Sequence, residues 1–184
     1  MRNDDQVRAA LTLKKHAVLS AGWDVKPAET KDDSQAQDAA DFVKWNLEEG
    51  LEGALDDDLL EVLTALDFGF SVTEKLFAPG ESGKYQGKIR LKKLATRRPH
   101  DFVFNVDAHD NLLEDGVEQF GKPWPREKFV LYANAKEFDN WYGLSDLRSA
   151  YRPWWFKDNV LKWWAMFLDR YGIPNFQWGA LDVT

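Results

Sequence analysis

Val7, Ala10, Leu11, Ala17 and Val18 fall near one face at a period of about 3.6 residues, so the chain is predicted to open with a helix from Asp4 to Ser20. Asp4 and Asp5 suit its N-terminal end, Lys14, Lys15 and His16 its C-terminal half, and Gly22 stops it. Trp23 and Val25 alternate with Asp24 and Lys26, the pattern of a short strand closed by Pro27. After a polar loop from Glu29 to Asp38, the apolar stripe Ala39, Phe42, Val43 and Leu47 marks a second helix ended by Gly50. Asp56, Asp57 and Asp58 then cap a third, with Leu59, Leu60, Val62, Leu63 and Leu66 turned inward.

The period changes at Phe68. Phe70 and Val72 alternate with Ser71 and Thr73 in a strand predicted over Phe68 to Phe77. The turn Pro79 to Gly83 leads into a partner over Tyr85 to Ala95, making a hairpin. Phe102 to Val106 is a further strand, His109 to Asn111 a turn, Leu112 and Leu113 a return strand, and Lys128 to Ala133 the last strand. Pro123, Trp124 and Pro125 stiffen the loop before it. Ser145 is placed to cap a short helix through Tyr151. Pro153 then opens a long one, Trp154 to Tyr171, ended by Gly172 and Pro174. The fold class is α+β: N-terminal helices, a central antiparallel β-rich portion and a long aromatic C-terminal helix.

The 184 residues suffice for one domain with an appendage and a substantial core. No apolar run approaches the roughly 18 residues of a membrane span, and the N-terminus lacks a signal pattern, so a soluble intracellular product with no membrane partner is expected. Cysteine is absent, which removes disulfides, thiolate metal sites and thiol catalysis. The aromatic load, 9 Trp, 5 Tyr and 12 Phe, argues against disorder and is unusual in its tryptophan.

Charge is unevenly spread. The net charge is −7, which disfavours coating nucleic acid by bulk electrostatics. Residues 24–67 hold 14 Asp/Glu against 3 Lys/Arg, a net of −11. Residues 84–98 hold seven cations and no acid: Lys84, Lys88, Arg90, Lys92, Lys93, Arg97 and Arg98. These could contact phosphate. Ile89, Leu91 and Leu94 interleave with them, as on a solvated strand face. Lysines also guard an edge strand, and pairing with the acidic segment, within or between subunits, fits the same run.

Three further groups invite chemistry. Asp107, His109 and Asp110 are residue types that hold metal, as a metal-dependent nuclease or phosphoryl-transfer domain requires, but they sit where turns favour Asp and Asn for backbone reasons. No nucleophile elbow or phosphate-binding glycine loop is present, so no catalytic residue, metal or cofactor is assigned. The C-terminal segment carries Trp141, Tyr142, Tyr151, Trp154, Trp155, Phe156, Trp163, Trp164, Phe167, Tyr171, Phe176 and Trp178. Tryptophans can stack on sugars, as in a carbohydrate-binding module, or on bases. This run offers more apolar surface than one helix needs against one neighbour. Either the rest of the domain wraps it or it packs against other chains; Trp154, Trp155, Trp163, Trp164 and Phe167 are the candidates for packing between subunits.

Several short motifs are similar, in order, to those of tailed-phage portal proteins of the Mu-like type. Gly69-Phe70-Ser71-Val72-Thr73-Glu74 resembles the family's G-F-S-x-x-E strand. Arg97-Arg98-Pro99 with Phe102-Val103-Phe104, and Lys128-Phe129-Val130, resemble its next strands. Tyr142-Gly143-Leu144-Ser145-Asp146-Leu147-Arg148 resembles the approach to its helices. Trp154-Trp155-Phe156-Lys157 and Phe167 to Pro174 resemble W-x-x-K and F-x-E-x-x-G-x-P. The opening helix with Gly22-Trp23-Asp24-Val25 is similar too. Asp169 stands where the family more often has Glu, and Trp141 where Pro is frequent.

The resemblance implies a non-enzymatic subunit of a homo-oligomeric ring, usually a dodecamer, at one capsid vertex of the virion, assembled in the host cytoplasm. Double-stranded DNA passes through the ring transiently during packaging, and the terminase motor, capsid and neck proteins are its partners. Residues 1–152 would form the wing and 153–184 the start of the stem. Portal subunits are longer, so the chain is expected to be a fragment or a truncated product.

Overall fold

The computed structural model describes residues 1–29, 33–80 and 84–172. Helix α1, Asp5–Leu19, begins where the Asp4 carboxylate accepts the Val7 N–H at 3.2 Å, satisfying an amide that the helix itself cannot. Its inward line is narrower than the sequence pattern suggests. Leu11 is buried, Val7, Lys15 and Leu19 are half-buried, and Ala10, Ala17 and Val18 face outward. The expected strand at Trp23 and Val25 is irregular chain. Alternation over so few residues cannot build a strand without a partner to bond.

Helix α2, Asp33–Trp45, runs into one wide π-helical turn, Asn46–Gly50. That turn lets Asn46 bond to β-strand backbone as a neighbouring strand would. Its side chain accepts the Leu91 N–H and donates to the Leu91 carbonyl, both at 2.8 Å. A Cβ on Gly50 would lie 2.5 Å from the Asn46 side-chain amide nitrogen, so a larger residue there would push Asn46 off its bonds to Leu91. Helix α3, Leu55–Val62, is preceded by Ala54, which makes no side-chain cap. Asp56, Asp57 and Asp58 occupy the first turn instead, where the helix dipole favours negative charge. The single turn α4, Ala65–Phe68, replaces the expected first residues of the strand. Gly69 (φ +98°) reverses the chain, and any Cβ would meet the Tyr142 carbonyl at 2.5 Å.

Strand β1, Phe70–Pro79, is the centre of a sheet ordered β2-β1-β6, with β2 Ile89–Arg97 and β6 Phe129–Ala133 both antiparallel to it. Its first four residues are buried on both faces. The two hydroxyls among them are satisfied: Ser71 donates to the Val62 carbonyl at 2.7 Å, and Thr73 meets Thr96 at 2.8 Å. β2 starts later than the pattern indicated. Tyr85 instead lies in a turn and packs against Phe42 (5.0 Å) and Trp45 (4.9 Å) of α2. The turn residues 81–83 lie outside the described residues.

A second sheet, ordered β3-β4-β5, holds Phe102–Val106, Leu112–Gln119 and Lys122–Trp124. The return strand is longer than Leu112 and Leu113 because the register shifts between Phe104 and Val106, and pairing resumes at Val117. Pro123 and Trp124 belong to β5, not to a loop. Phe120 (φ 52°) and Gly121 (φ 75°) form the tight turn that brings β5 back onto β4. The two sheets share one core of Phe70, Val72, Phe102, Phe104, Leu112, Val117 and Phe129. Its rings meet edge to face, Phe70 with Phe104 at 5.3 Å and Phe102 with Phe129 at 5.7 Å.

The two expected C-terminal helices are one, α5, Asp146–Tyr171, with Pro153 in its interior. Pro153 supplies no N–H to the Ser149 carbonyl one turn back. Ser149 is exposed, so water can take that acceptor and the helix continues. Ser145 caps it as its sequence position suggests, accepting the Leu147 N–H at 3.1 Å and donating to the Asp67 carbonyl at 2.5 Å. Pro174, Phe176 and Trp178 lie outside the described residues.

Candidate assembly surfaces

α5 leaves the body of the protein as it proceeds. Trp154 is half-buried, but from Val160 to Tyr171 every residue is exposed, and the helix buries none. Among the sequence-assigned packing residues, Trp155 is 45% exposed, Trp163 57%, Trp164 60% and Phe167 57%. Phe156, Val160, Leu161, Met166, Leu168 and Tyr171 are exposed as well. The rings that meet on α5 are its own: Tyr151 with Trp154, Trp155 with Phe156, and Phe167 with Tyr171. Trp141 and Tyr142 are different. Both pack around Phe104, and the Tyr142 hydroxyl accepts the Phe104 N–H at 3.1 Å.

Only the first half of α5 is anchored, by the Ser145 hydrogen bond to Asp67 and by charge. Lys157 binds Asp4 at 2.7 Å and Asp5 at 3.3 Å, and Lys14 binds Asp146 at 2.8 Å. The Lys157 hydrogen bond holds the Asp4 carboxyl below its ordinary range, and Asp4 in turn raises the Lys157 ammonium. Beneath α1, the buried Asp67 carboxylate receives Arg2 at 2.9 Å and Lys15 at 3.0 Å, while its second oxygen has no partner. Nothing in the spacing of these residues announces the pairs. Asp67 does leave a trace in the sequence as the one acid inside Ala65-Leu66-Asp67-Phe68-Gly69-Phe70.

The basic run is largely turned onto the protein's own acidic part. Lys88 lies over the rings of Phe42 (5.3 Å) and Tyr85 (5.4 Å). Arg90 donates to the Gly50 carbonyl. Lys92, the extra residue of a bulge in β2, pairs with Glu52 at 3.2 Å, and its carbonyl accepts the Glu52 N–H. Arg97 and Lys128 both bind Glu74, at 2.5 and 2.8 Å. Burial alone would push the Glu74 carboxyl up; those two hydrogen bonds outweigh it and leave it low. The side chains of Lys93 and Arg98 are exposed and make no ion pair or side-chain hydrogen bond among the described residues, although the Lys93 charge reaches Asp58 and acts to lower its carboxyl.

Asp107 is committed to a turn. One of its oxygens accepts the His109 N–H (2.7 Å) and the Asn111 N–H (2.9 Å), and the Asn111 side chain adds a bond that lowers its pKa first of all. His109 and Asp110 add no ligand cluster: among the described residues no three His, Asp or Glu side chains are grouped to hold a metal. A cleft of about 640 Å³ between the sheets is floored by Leu112, Phe129, Leu131 and Trp141 and edged by charged residues. Its lining includes no hydroxyl, thiol or imidazole. Among the described residues no helix is long and apolar enough to cross a membrane.

The family comes from comparison with known proteins. No curated protein gives a significant match. A family model described as the portal protein of Mu bacteriophage matches residues 1–177, nearly the whole chain. The chain belongs to the Mu bacteriophage portal protein family.

Proposed function

We propose that the chain is a subunit of a closed portal ring at a capsid vertex, through which double-stranded DNA passes during packaging. Family membership supports the portal assignment, and the single observation that carries the ring is the unburied aromatic half of α5. Ten large apolar side chains from Trp155 to Tyr171 are exposed on that helix, which a stable solitary protein does not maintain without a partner. Trp154, Trp155, Trp163, Trp164 and Phe167 then pack between subunits. Residues 1–152 serve as the wing and 153–184 as the start of the stem, with α5 carrying one into the other. Lys93 and Arg98 are the basic-run cations left available for phosphate or a neighbouring subunit. Terminase, capsid and neck proteins are the partners of such a ring in the virion, and the ring itself performs no catalysis.

The test is the size and shape of the purified protein. Mass photometry should show one discrete high-order species, and negative-stain electron microscopy should show annular particles. A species that stays monomeric at every concentration, or one that forms only open chains, would overturn the closed ring.

A further inference from the structure

Arg8, Thr12 and Lys15 follow one another on α1 at the spacing of neighbouring turns, so they share one face of that helix. That face, Arg2 and Asn3 ahead of the helix, and Asp67 of α4 line a polar cavity of about 260 Å³. Three cations stand there against one carboxylate, a balance of +2. Arg2 spends its Nε on Asp67 Oδ2 and lays its guanidinium over the Phe68 ring at 5.3 Å, which fixes the direction of its remaining N–H groups. Those groups, and the Arg8 side chain, make no hydrogen bond or ion pair among the described residues. Arginine and lysine only donate, so this wall calls for acceptor oxygens.

Asp67 calls for the opposite. Its side chain is 1% exposed, Oδ2 takes both Arg2 and Lys15, and Oδ1 is buried with no donor. An ionised carboxylate only accepts, and leaving such an oxygen unmatched is costly. The complement of this cavity is therefore an oxyanion that still carries a hydrogen. We propose that the cavity is a binding site for inorganic phosphate, held as the hydrogen phosphate dianion. Its charge matches that of the wall. Its bare oxygens accept from Arg2, Arg8 and Lys15, and its P–OH donates to Asp67 Oδ1. Arg2 is half in solvent and swings aside to admit the ion. Sulfate has the same shape and charge but no hydrogen at neutral pH, so it sets lone pairs against the Asp67 lone pairs. The cations supply the hold, and the buried carboxylate selects for the proton.

Isothermal titration calorimetry of the full chain at pH 7 and constant ionic strength tests the site. Inorganic phosphate should bind about a hundredfold more tightly than sulfate. Equal affinity for the two, or no binding of phosphate, overturns the proposal. Asp67→Asn exchanges the acceptor for an amide that can donate, so it should bring the two affinities within about threefold of each other. A preference kept in that variant would show that the carboxylate does not read the proton, and would overturn the proposal too. Arg8→Gln, at an exposed position, should weaken phosphate about tenfold and leave the preference over sulfate intact. Unchanged phosphate affinity in Arg8→Gln counts against the site. That variant and the phosphate–sulfate contrast in the unmodified chain decide the matter even if Asp67→Asn does not fold. Methyl phosphate separates a free ion from an ester. With a second pKa of about 6 it has largely lost its hydrogen at pH 7, so it should compete poorly there and better at pH 6. Competition at pH 7 as strong as that of inorganic phosphate would overturn the role given to the hydrogen.

Discussion

The two halves of this molecule are held by different physics. The β portion is closed by hydrocarbon: seven buried side chains from both sheets meet in one core, with Val72 and Val117 fully excluded from water. The helical arm of α1 and α5 buries only Leu11, and its attachments are polar: the ion pairs of Asp4, Asp5, Asp67 and Asp146 with Arg2, Lys14, Lys15 and Lys157, and the hydrogen bonds of Ser145 and Asn134 at the start of α5. Hydrophobic burial is neither screened by salt nor titrated by modest pH change, whereas exposed charge pairs are. Under the proposed ring, an element that repacks against other copies is better tethered by the second kind of contact.

The largest effect should separate the two kinds of aromatic residue. Phe102→Ala empties a core position and should lower unfolding stability by about 3–5 kcal/mol. Trp155→Ala and Trp163→Ala remove larger rings, yet both sit half in solvent and should change the dissociated chain by no more than about 0.5 kcal/mol. The same two changes should abolish the high-order species. Chemical denaturation alongside mass photometry reads both quantities. Equal destabilisation by all three variants would erase the contrast.

Asp67 comes next, because it is the one place where the arm's charges are truly buried. Asp67→Ala leaves Lys15 facing a carboxylate that is gone, in a spot where Lys15 itself is only 12% exposed in its side chain. Removing one partner of a buried pair costs about 3–5 kcal/mol when the survivor is trapped. Here Arg2 is half in solvent and can swing out, so about 3 kcal/mol is expected, measured by urea unfolding. Lys15→Met in the same background should recover part of the loss. If it recovers none, α1 is not seated through this carboxylate.

What could be read in the sequence follows the same division. Elements with a strong period were legible: α1, α2, α3, β1, β3 and β6 all stand near their expected places, and α5 covers the span of two expected helices. Three features were not. The β4 strand is interrupted by a register shift that hides its alternation, and β5 returns through Phe120-Gly121, a turn without the usual Asn or Asp. Pro153 argued for a break that an exposed Ser149 carbonyl makes unnecessary. At the candidate surfaces, the aromatic excess on α5 was visible in the sequence, because its rings outnumber what one helix needs against one neighbour. The partners of the basic run were not visible. Glu52, Glu74 and the Gly50 carbonyl are brought to it only by the fold.

Glu74 offers a milder way to sharpen the comparison, since it belongs to the β portion but is held by charge. Its folded pKa lies below the ordinary glutamate value of 4.5, because Lys128 and Arg97 donate to it. A lowered folded pKa contributes stability that is present above about pH 4.5 and lost as the pH falls through the lower folded value. Stability should therefore decline on the acid side of that point, and Glu74→Gln should flatten the decline while leaving neutral-pH folding intact. Thermal melts from pH 7 to pH 3 would read the slope; identical slopes in both proteins would show that Glu74 contributes nothing to it.

The smallest expected effect is on the Lys157 tether, and it bears most directly on how the arm works. Lys157→Met keeps the apolar stem and removes both contacts with Asp4 and Asp5. Asp4 still caps α1 through the Val7 N–H, so the helix itself should survive and the melting temperature should scarcely move. Amide exchange in the first turns of α1 should nevertheless speed up at low salt. Raising the salt should bring the unmodified protein toward the variant, since the pair is screened. The pH dependence has two limbs. The tether weakens as pH falls through the depressed Asp4 value, and again as pH rises through the raised Lys157 value. If α1 exchanges at the same rate in both proteins at low salt, the arm is held by Leu11, Asp67 and the Lys14–Asp146 pair without Lys157, and the contrast between the two halves narrows to those contacts.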